Sequence, residues 1–506
     1  MDSRIDPRSP VVVGVGQTAQ RLPPDEALPP IELLEAAALA AEADACASVS
    51  LLARTDIAAV VQITSWPYPD AGALLGRRLG FRPRRTAVTT VGGNSPQMLV
   101  NEMASLIAAG DADVVLIGGA ESMYARWRAR REPRVHLGWS SGDDGPCDWV
   151  FGDERQGVSD YEMAHAALAP THVYPLFETA LRHAWGHGVA EHQRHVSELW
   201  STLASVAAEN PHAWSRCAYT PEEIRTVTAD NRMICFPYPK RMCANIDVDQ
   251  GAALLLCSYE AALAAGVPTD RMVFLHGGAD GHDHFFMSER DTLCDSPGIA
   301  AVVGDALDAA GIGVDDVARF DLYSCFPSAV QIAMRALGLP GRPGGDERPL
   351  TVTGGLGFAG GPVNNYVTHA IARMVEALRA DPGSYGVTTG LGWYVTKHSA
   401  GVWSSTPPQH GFRRAAEAGT QARIDSLPAR EPAGLVDCDA TVEASSVVAE
   451  RDGALSVAIV TCITDDGRRA MANVRDSDAL DAMTLEPWEG RRVRLENDGS
   501  TNSLVT

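Results

Sequence analysis

The stretch from Thr89 to Met123 combines a glycine-rich turn, a helix and a buried strand, and it constrains the fold more than any other part of the chain. Its apolar residues Leu99, Met103 and Ile107 recur at steps of three or four positions, the period of a helix packed on one face. The apolar run from Val114 to Ile117 is typical of a strand buried on both faces. Strand, helix and strand at this spacing predict a parallel α/β sheet.

Ser95 and Pro96 predict where this helix begins. A serine oxygen can accept a free N–H of the first turn, and proline lacks an N–H, so Ser95 is expected as the N-cap and Pro96 as the first helical residue. An N-cap oxygen is already engaged, and an unassisted serine is almost fully protonated at neutral pH. Ser95 is therefore expected to cap the helix rather than to act as a nucleophile.

After the strand, residues 118–123 read Gly-Gly-Ala-Glu-Ser-Met. Together with the turn and the helix, this motif resembles the nucleophile region of the thiolase superfamily, in which the loop carries a reactive cysteine. Counted back without a gap, the position of that cysteine is Gly93. The resemblance implies an α/β protein with a duplicated thiolase fold, in which the frame of the site is present and its reactive atom is absent.

Three other loops of the superfamily can be located here. The loop that carries the activating histidine reads Gly360-Gly361-Pro362, which places Gly361 at the histidine position. The second cysteine position is Thr388, or Gly390 if the alignment shifts by two residues. The Asn-Glu-Ala-Phe motif begins here with Tyr323, whose phenol can still donate one hydrogen bond. The resemblance therefore implies that no residue of the thiolase catalytic set is present.

Five residues remain as candidates to contact a ligand in this pocket: Asn94, Ser95, Tyr323, Asn364 and His398. For His398, a core or surface role is the alternative. The glycines at 92, 93, 360, 361 and 390 remove side chains, so we expect a roomier site than that of a thiolase. The N-terminus of the helix would add partial positive charge at the acyl end of the ligand.

Neither a reactive thiol nor a metal site is predicted. Cys325 lies at a position where the family has a small residue facing the core, and buried cysteines are usually inert. The motif His282-Asp283-His284 offers two histidines without further clustered ligands, whereas zinc sites use three or four protein ligands. We therefore expect no metal and no permanently bound cofactor.

The formal charge of −22, from 42 basic and 64 acidic residues, argues against nucleic acids and anionic membranes as partners. Against this background the segment from Arg126 to Arg134 is a local basic cluster. One interpretation is a solvated face. The other is that Arg126, Arg128 and Arg130 contact the phosphates of CoA or an acyl-CoA, the ligand that the family resemblance implies.

The sequence predicts a cytoplasmic protein. No apolar run approaches eighteen residues, and the start of the chain has no apolar stretch typical of a signal peptide. Ten cysteines occur without a Cys-x-x-Cys pair, which favours free thiols in a reducing compartment.

Composition and the resemblance together predict four segments. They are a first thiolase half at 1–270, with an inserted loop region at about 124–240, a second half at 271–405, a linker at 406–432, and a small β domain at 433–506. Short strands separated by turns predict an antiparallel barrel or sandwich for the last segment. Such an addition resembles the extra domain of the thiolase-like type 1 proteins. We expect it to fold separately and proteases to cut within the linker.

Two functions follow from these features. The first is a CoA-binding or acyl-CoA-binding protein on a thiolase frame, a pseudoenzyme without thiolytic activity. The second is an acyltransferase of lipid metabolism, similar to acetyl-CoA acetyltransferase, or a lyase-type enzyme. Its non-standard site would use Tyr323, Asn364 or His398. A homodimer, a separate partner subunit and a monomer all remain open.

Overall fold

The computed structural model describes residues 5–132, 134–340 and 348–505, so the outermost ends of the predicted first and last segments lie outside it. Its strands are β1 (Pro10–Ala19), β2 (Ile57–Val60), β3 (Arg85–Thr89), β4 (Val114–Ser122), β5 (Trp149–Phe151), β6 (Met233–Phe236), β7 (Tyr238–Pro239), β8 (Asp249–Ser258), β9 (Val273–His282), β10 (Val317–Asp321), β11 (Tyr385–Gly392), β12 (Lys397–Ser404), β13 (Arg413–Arg414), β14 (Cys438–Ala449), β15 (Leu455–Thr464), β16 (Arg469–Val474), β17 (Arg492–Asn497) and β18 (Asn502–Val505).

The α-helices are α1 (Pro30–Asp44), α2 (Ala71–Leu79), α3 (Ser95–Ala109), α4 (Met123–Ala129), α5 (Asp160–Ala164), α6 (Pro170–Ala184), α7 (Val189–Glu209), α8 (Pro221–Arg225), α9 (Tyr259–Ala264), α10 (Pro297–Ala310), α11 (Pro327–Ala336), α12 (Gly355–Phe358), α13 (Tyr366–Ala380), α14 (Glu417–Asp425) and α15 (Ser477–Leu485). Within the described ranges, none of them is both long enough and apolar enough to cross a membrane.

Two similar halves form the body of the protein. In the first half the strands lie in the order β1-β8-β4-β2-β3, and in the second in the corresponding order β9-β12-β11-β10. A short antiparallel pairing of β1 with β9 joins them. The helices α1 and α2 cover the first half, α10 and α14 cover the second, and α3 and α13 lie between the halves. The predicted duplicated α/β fold is confirmed.

The central position of α3 explains why two of its long polar side chains are buried. Gln97 and Asn101 are both fully buried. The Asn101 amide donates to the carbonyl oxygens of Ala279 and Ala400 and, at 3.0 Å, to the carboxylate of Asp280. A buried amide needs such partners, so these hydrogen bonds hold α3 against the strands of the second half.

The last part of the chain forms a closed five-stranded β-barrel, as predicted. The order is β15-β16-β18-β17-β14, and β14 pairs again with β15 to close the barrel. One strand of the inserted loop region, β6, also pairs with β14 through Phe236 and Val447. The barrel sheet therefore continues into residues that lie far outside the segment 433–506.

The segment 406–432 contains regular structure, which differs from the predicted plain linker. Its first part forms β13, which pairs in parallel with β9. Its second part forms α14, where Thr420 and Arg423 both contact the carboxylate of Asp305 on α10. The low sequence periodicity concealed a helix that is mostly exposed and has little apolar surface.

One buried ion pair and one buried arginine attach the barrel to the body. Arg182 on α6 pairs with Glu489, and both side chains are almost completely buried. Arg469 on β16 donates to both carboxylate oxygens of Glu443, at 2.7 and 2.6 Å. Its other N–H groups donate to main-chain carbonyls between Met287 and Asp291 in the body. Because these charged groups have partners in both parts, separating the barrel from the body would leave buried polar groups without hydrogen bonds.

In place of the expectation from sequence that the barrel folds separately, we therefore expect the barrel and the body to unfold together. Replacing Arg469 by Ala should lower the free energy of unfolding by about 3–5 kcal/mol, because it leaves Glu443 and several carbonyls without their buried donor. Urea denaturation measures this loss. The control is Arg468→Ala, which removes an exposed pair with Asp466 and should cost less than about 1 kcal/mol. Equal effects of both variants, or two separate transitions in the unaltered protein, would contradict this account.

Candidate functional site

The glycine-rich turn leads directly into α3, but the helix begins one residue earlier than predicted. Asn94 is the N-cap and Ser95 is the first helical residue. The Ser95 hydroxyl donates to the carbonyl oxygen of Thr90 at 2.9 Å and does not cap the helix. The predicted capping role is wrong, because Ser95 bonds back to the strand before the turn. Its hydroxyl proton is engaged and its side chain is buried.

Tyr323 occupies the space beside Gly93. A Cβ atom at position 93 would lie 2.5 Å from both Tyr323 Cζ and the carbonyl oxygen of Leu391, and closer still to the Tyr323 hydroxyl. The phenol is buried, and this burial raises its pKa above the ordinary value for tyrosine. The expectation of a roomier site is wrong at this position, because a ring from another loop fills the space that the missing side chain would need.

Two further glycines are also closely packed, one against a side chain and one against main-chain atoms. A Cβ at Gly360, where φ is +108°, would lie 2.9 Å from the carboxamide carbon of Gln250. A Cβ at Gly390 would lie 2.7 Å from the Cα of Asn94. Gly361 differs, since a Cβ there would approach other atoms no closer than 3.3 Å. Most of the glycines thus permit close packing between loops rather than open a pocket.

Asn364 joins two of these loops. Its Oδ1 accepts the main-chain N–H of Gly92 at 3.0 Å, and its Nδ2 donates to the carbonyl oxygen of Gln62 and to Thr64 Oγ1. Val363 beside it has φ of +46°, which is strained for a β-branched residue. Asn364 is therefore a structural bridge, and both its amide oxygen and its amide nitrogen are engaged within the protein.

Thr388 lies outside the group of converging loops. Its hydroxyl donates to Gln97 Oε1 at 2.7 Å and accepts from the Trp403 indole at 2.8 Å, and the residue is fully buried. Gly390, the alternative position, packs directly on Asn94 next to Gly93. The assignment of the second cysteine position to Thr388, or to Gly390 as the alternative, stays a prediction from the family resemblance.

His398 is buried and paired with Asp283. Its Nε2 donates to the Asp283 carboxylate at 2.9 Å. Although burial opposes it, this hydrogen bond holds the pKa of Asp283 below its ordinary value. His398 and Tyr323 both line a mainly apolar cavity of about 10 Å³ between α10, α11 and β11, on the scale of the space that one water molecule needs. A buried histidine and a buried phenol thus border the same space.

The side chains of the motif His282-Asp283-His284 have different surroundings. His282 contacts the Arg155 guanidinium at 3.2 Å, whereas His284 Nε2 is buried and has no hydrogen-bond partner among the residues that the structure describes. Across the described ranges, no three His, Cys, Asp or Glu side chains form a group suited to a metal ion. Cys325 is buried, which raises its pKa to about 12, so its thiol stays protonated at neutral pH.

The basic cluster is connected to the glycine loops, although Pro133 within it lies outside the described residues. Arg126 donates to the carbonyl oxygen of Thr64 at 3.2 Å, and Thr64 in turn accepts from Asn364. Arg128 lies over the ring of Tyr124, whereas Arg130 is exposed. Through Thr64 and Asn364, the cluster is three hydrogen bonds away from Gly92.

Aromatic rings extend this basic surface. Tyr124 packs edge-on against Trp214 with ring centroids 5.4 Å apart, and the guanidinium of Arg21 lies 4.3 Å from the centre of the Trp214 ring. The Trp214 main-chain N–H donates to the carbonyl oxygen of Ala359, next to Gly360. Arginine and aromatic side chains therefore flank both glycine loops.

Two residues at the site, Gln250 and Lys397, are absent from the sequence prediction. Gln250 fills the space at Gly360 as described above. Lys397 is buried beside Gly392 and donates to the carbonyl oxygen of Asp153. Burial lowers the pKa of Lys397 below its ordinary value. The charge of Asp153 partly opposes this effect, and the charge of Arg155 adds to it. The one available signal was composition, since Lys240 and Lys397 are the only lysines among 42 lysines and arginines.

Known proteins resemble this chain both in its C-terminal domain and over its whole length. Residues 420–500 match the family model described as the thiolase-like protein type 1 additional C-terminal domain. The structure is similar to a monomeric SCP2-thiolase-like protein type 1 from Mycobacterium smegmatis, with 33% identity, 99% coverage of both chains and a TM-score of 0.84. No curated protein matches the chain in sequence.

Two more distant structures share the fold of the body. One is described as an Ltp2-ChsH2(DUF35) aldolase, with 19% identity, coverage of 79% of this chain and 98% of that chain, and a TM-score of 0.58. The other is human mitochondrial 3-ketoacyl-CoA thiolase in complex with CoA, with 19% identity, coverage of 80% and 100%, and a TM-score of 0.54.

The packing of Tyr323 against Gly93 makes a prediction about two of the glycines. Gly93→Ala should destabilise the protein by about 1–3 kcal/mol, because the new methyl group overlaps Tyr323 and the Leu391 carbonyl. Gly361→Ala is the matched control and should cost less than about 1 kcal/mol, since its nearest neighbours lie at 3.3 Å or beyond. Thermal unfolding of both variants makes the comparison. If Gly93→Ala left the thermal stability unchanged, Tyr323 would not fill this space.

Proposed function

Because the chain belongs to the SCP2-thiolase-like type 1 family, we propose that it binds CoA or an acyl-CoA on a thiolase frame without catalysing thiolysis. Thiolase chemistry needs a thiolate, a base that generates it and a second acid or base. The positions that the family resemblance assigns to these groups hold Gly93, Gly361 and Thr388, with Gly390 in place of Thr388 if the alignment shifts by two residues. Removing a nucleophile together with its base lowers such a rate by many orders of magnitude.

No neighbouring group offers a substitute nucleophile in this proposal. Ser95 donates its hydroxyl proton to a main-chain carbonyl, and the thiol of Cys325 is held protonated by burial. The ring of Tyr323 lies where an attacking group would have to stand. These three features together support a site that binds without forming a covalent intermediate.

The observation that carries the binding proposal is the hydrogen-bonded connection from Arg126 through Thr64 and Asn364 to Gly92. It supports a phosphate-binding surface close to the glycine loops, in a chain whose formal charge is otherwise −22. Guanidinium groups are well suited to phosphate oxygens. The N-terminus of α3 points partial positive charge at the same loops, where the acyl end of the ligand would lie.

An acyltransferase with a non-standard site is the second candidate. It is favoured by the buried pair of His398 with Asp283, which borders the same cavity as Tyr323. In this alternative the histidine would move a proton and the phenol would donate a hydrogen bond to the ligand. Turnover of an acyl-CoA by the unaltered protein separates this candidate from the first.

We also propose that the chain acts without a second copy. The three-residue strand β5 pairs with β3 and covers an edge that would otherwise end the first half of the sheet. Short edge strands of this kind discourage pairing with another chain. The relative from Mycobacterium smegmatis is described as monomeric.

Calorimetry tests the binding proposal. CoA or an acyl-CoA should bind in the micromolar range, about 8 kcal/mol, and more weakly at high salt. The combined change of Arg126, Arg128 and Arg130 to Ala should weaken binding at least about tenfold. The control, Arg475→Ala, removes an exposed arginine next to the barrel strand β16 and should have no effect. No binding at millimolar ligand and low salt would end the proposal.

A thiolysis assay with acetoacetyl-CoA and CoA should meanwhile stay at background. Turnover near one per second, an ordinary slow enzymatic rate, would mean that another nucleophile operates. Repeating such an assay with Ser95→Ala and Cys325→Ala would identify it.

A further inference from the structure

Lys397 lies at the junction of the glycine loops. In the pairing of β11 with β12 it stands opposite Gly392. A Cβ built on Gly392 would lie 3.3 Å from Lys397 Cβ and 2.5 Å from Asn94 Oδ1, so Lys397 begins beside Asn94. The Lys397 ammonium donates to the carbonyl oxygen of Asp153, which also accepts from Thr90 Oγ1 at 3.2 Å. Its position is therefore next to the turn that contains Gly93.

The charge of Lys397 is incompletely balanced. The ionised groups that act on it are Asp153 and Arg155, and the Asp153 carboxylate already accepts three hydrogen bonds from Arg155. Among the described residues, no carboxylate oxygen lies within 4.0 Å of the Lys397 ammonium. Lys397 is buried, whereas the side chains of Asp153 and Arg155 are 34% and 56% exposed to solvent. The direct partner of the buried ammonium is therefore a carbonyl oxygen rather than a carboxylate, and an incompletely paired buried charge is costly.

Asn94 supplies a second unsatisfied group at the same place. Its Oδ1 is buried and has no hydrogen-bond partner in the described part of the chain. The oxygen and nitrogen of a carboxamide are exchanged by a simple flip, so this side chain can present a donor as well as an acceptor. Lys397 uses one of its three ammonium donors in the bond to Asp153.

The choice of lysine is itself informative in this chain. Among the described residues, the other buried lysine or arginine side chains lie at positions 182, 290 and 469, and all three are arginines. Lysine provides a compact point charge, whereas arginine provides a planar fork that suits fixed pairs within a protein. A compact charge beside a glycine-lined turn suits a small anionic group that enters with a ligand.

We propose that Lys397, with the Asn94 amide, recognises a carboxylate carried on the acyl group of a bound CoA thioester. This inference rests on the proposed function and specifies its ligand class: acyl groups that end in a carboxylate rather than in a methyl group. The carboxylate would complete the charge balance around Lys397, and a neutral acyl chain would leave the ammonium without an anion.

The test compares thioesters of equal chain length. Malonyl-CoA is compared with propanoyl-CoA, and adipoyl-CoA with hexanoyl-CoA, by calorimetry on the full chain. At least one of the carboxylated ligands should bind about tenfold more tightly than its neutral counterpart. Lys397→Met should reduce this preference to less than about twofold, and Lys397→Arg should retain part of it. The control is Lys240→Met, which changes the only other lysine and should leave the preference unchanged.

The outcomes separate this inference from the proposed function. Equal affinity within both pairs, or a preference that survives Lys397→Met, overturns the role of Lys397 while CoA binding stands. Absence of binding by all four thioesters overturns the proposed function and this inference with it.

A measurement on the unaltered protein covers the case in which Lys397→Met fails to fold. The chain has only two lysines, so mass spectrometry can follow the modification of each by an amine-reactive reagent. The carboxylated ligand should slow the labelling of Lys397 several-fold and leave that of Lys240 unchanged. Equal protection by the neutral ligand of the same length would contradict the proposal.

Discussion

The contact between Tyr323 and Gly93 is the constraint on which the rest of the site depends. The phenol ring and a side chain at position 93 cannot occupy the same space, because a Cβ there would lie 2.5 Å from Tyr323 Cζ. With the ring in this place, the turn packs closely against Tyr323 and the Leu391 carbonyl, and the end of β11 packs closely against Asn94 at the start of α3. Dense packing of this kind makes each of these positions sensitive to a single added methyl group.

The site nevertheless retains features that a purely structural core would not be expected to keep. Val363, Trp393 and Val395 all have positive φ angles, and all three lie in the loops around the glycines. Such strain costs about 1–3 kcal/mol for each residue and persists only where the surroundings impose it. The unsatisfied Asn94 oxygen and the incompletely balanced charge of Lys397 lie in the same small region. Strain and unsatisfied groups together are typical of a place that receives a ligand.

The barrel is linked to this region through a second arginine. Arg469 of the barrel donates to the main-chain carbonyl of Arg290, and the Arg290 guanidinium donates to the Tyr394 carbonyl and to Thr396 Oγ1. Tyr394 and Thr396 belong to the turn between β11 and β12, directly before Lys397 and His398. Because both arginines are buried, the barrel contributes to the position of that turn.

Much of the frame could be predicted from the sequence, because it depends on local patterns. The apolar period of α3, the buried run of β4 and the short strands of the barrel each follow from hydrogen-bond geometry within a few residues. The glycines at positions 93 and 361 are also visible in the sequence itself. Whether the space beside a glycine is open depends on side chains from distant segments, and only the tertiary structure decided this.

Tyr323 beside Gly93, Gln250 beside Gly360 and Asn94 beside Gly390 are all contacts of this long-range kind. The extension of the barrel sheet by β6 is another, since strand pairing across a long separation has no local signature. The sequence by itself therefore determined the frame and the positions of the glycines in its loops. The fold decided which atoms lie beside these glycines, because packing depends on residues that are close in space and remote along the chain.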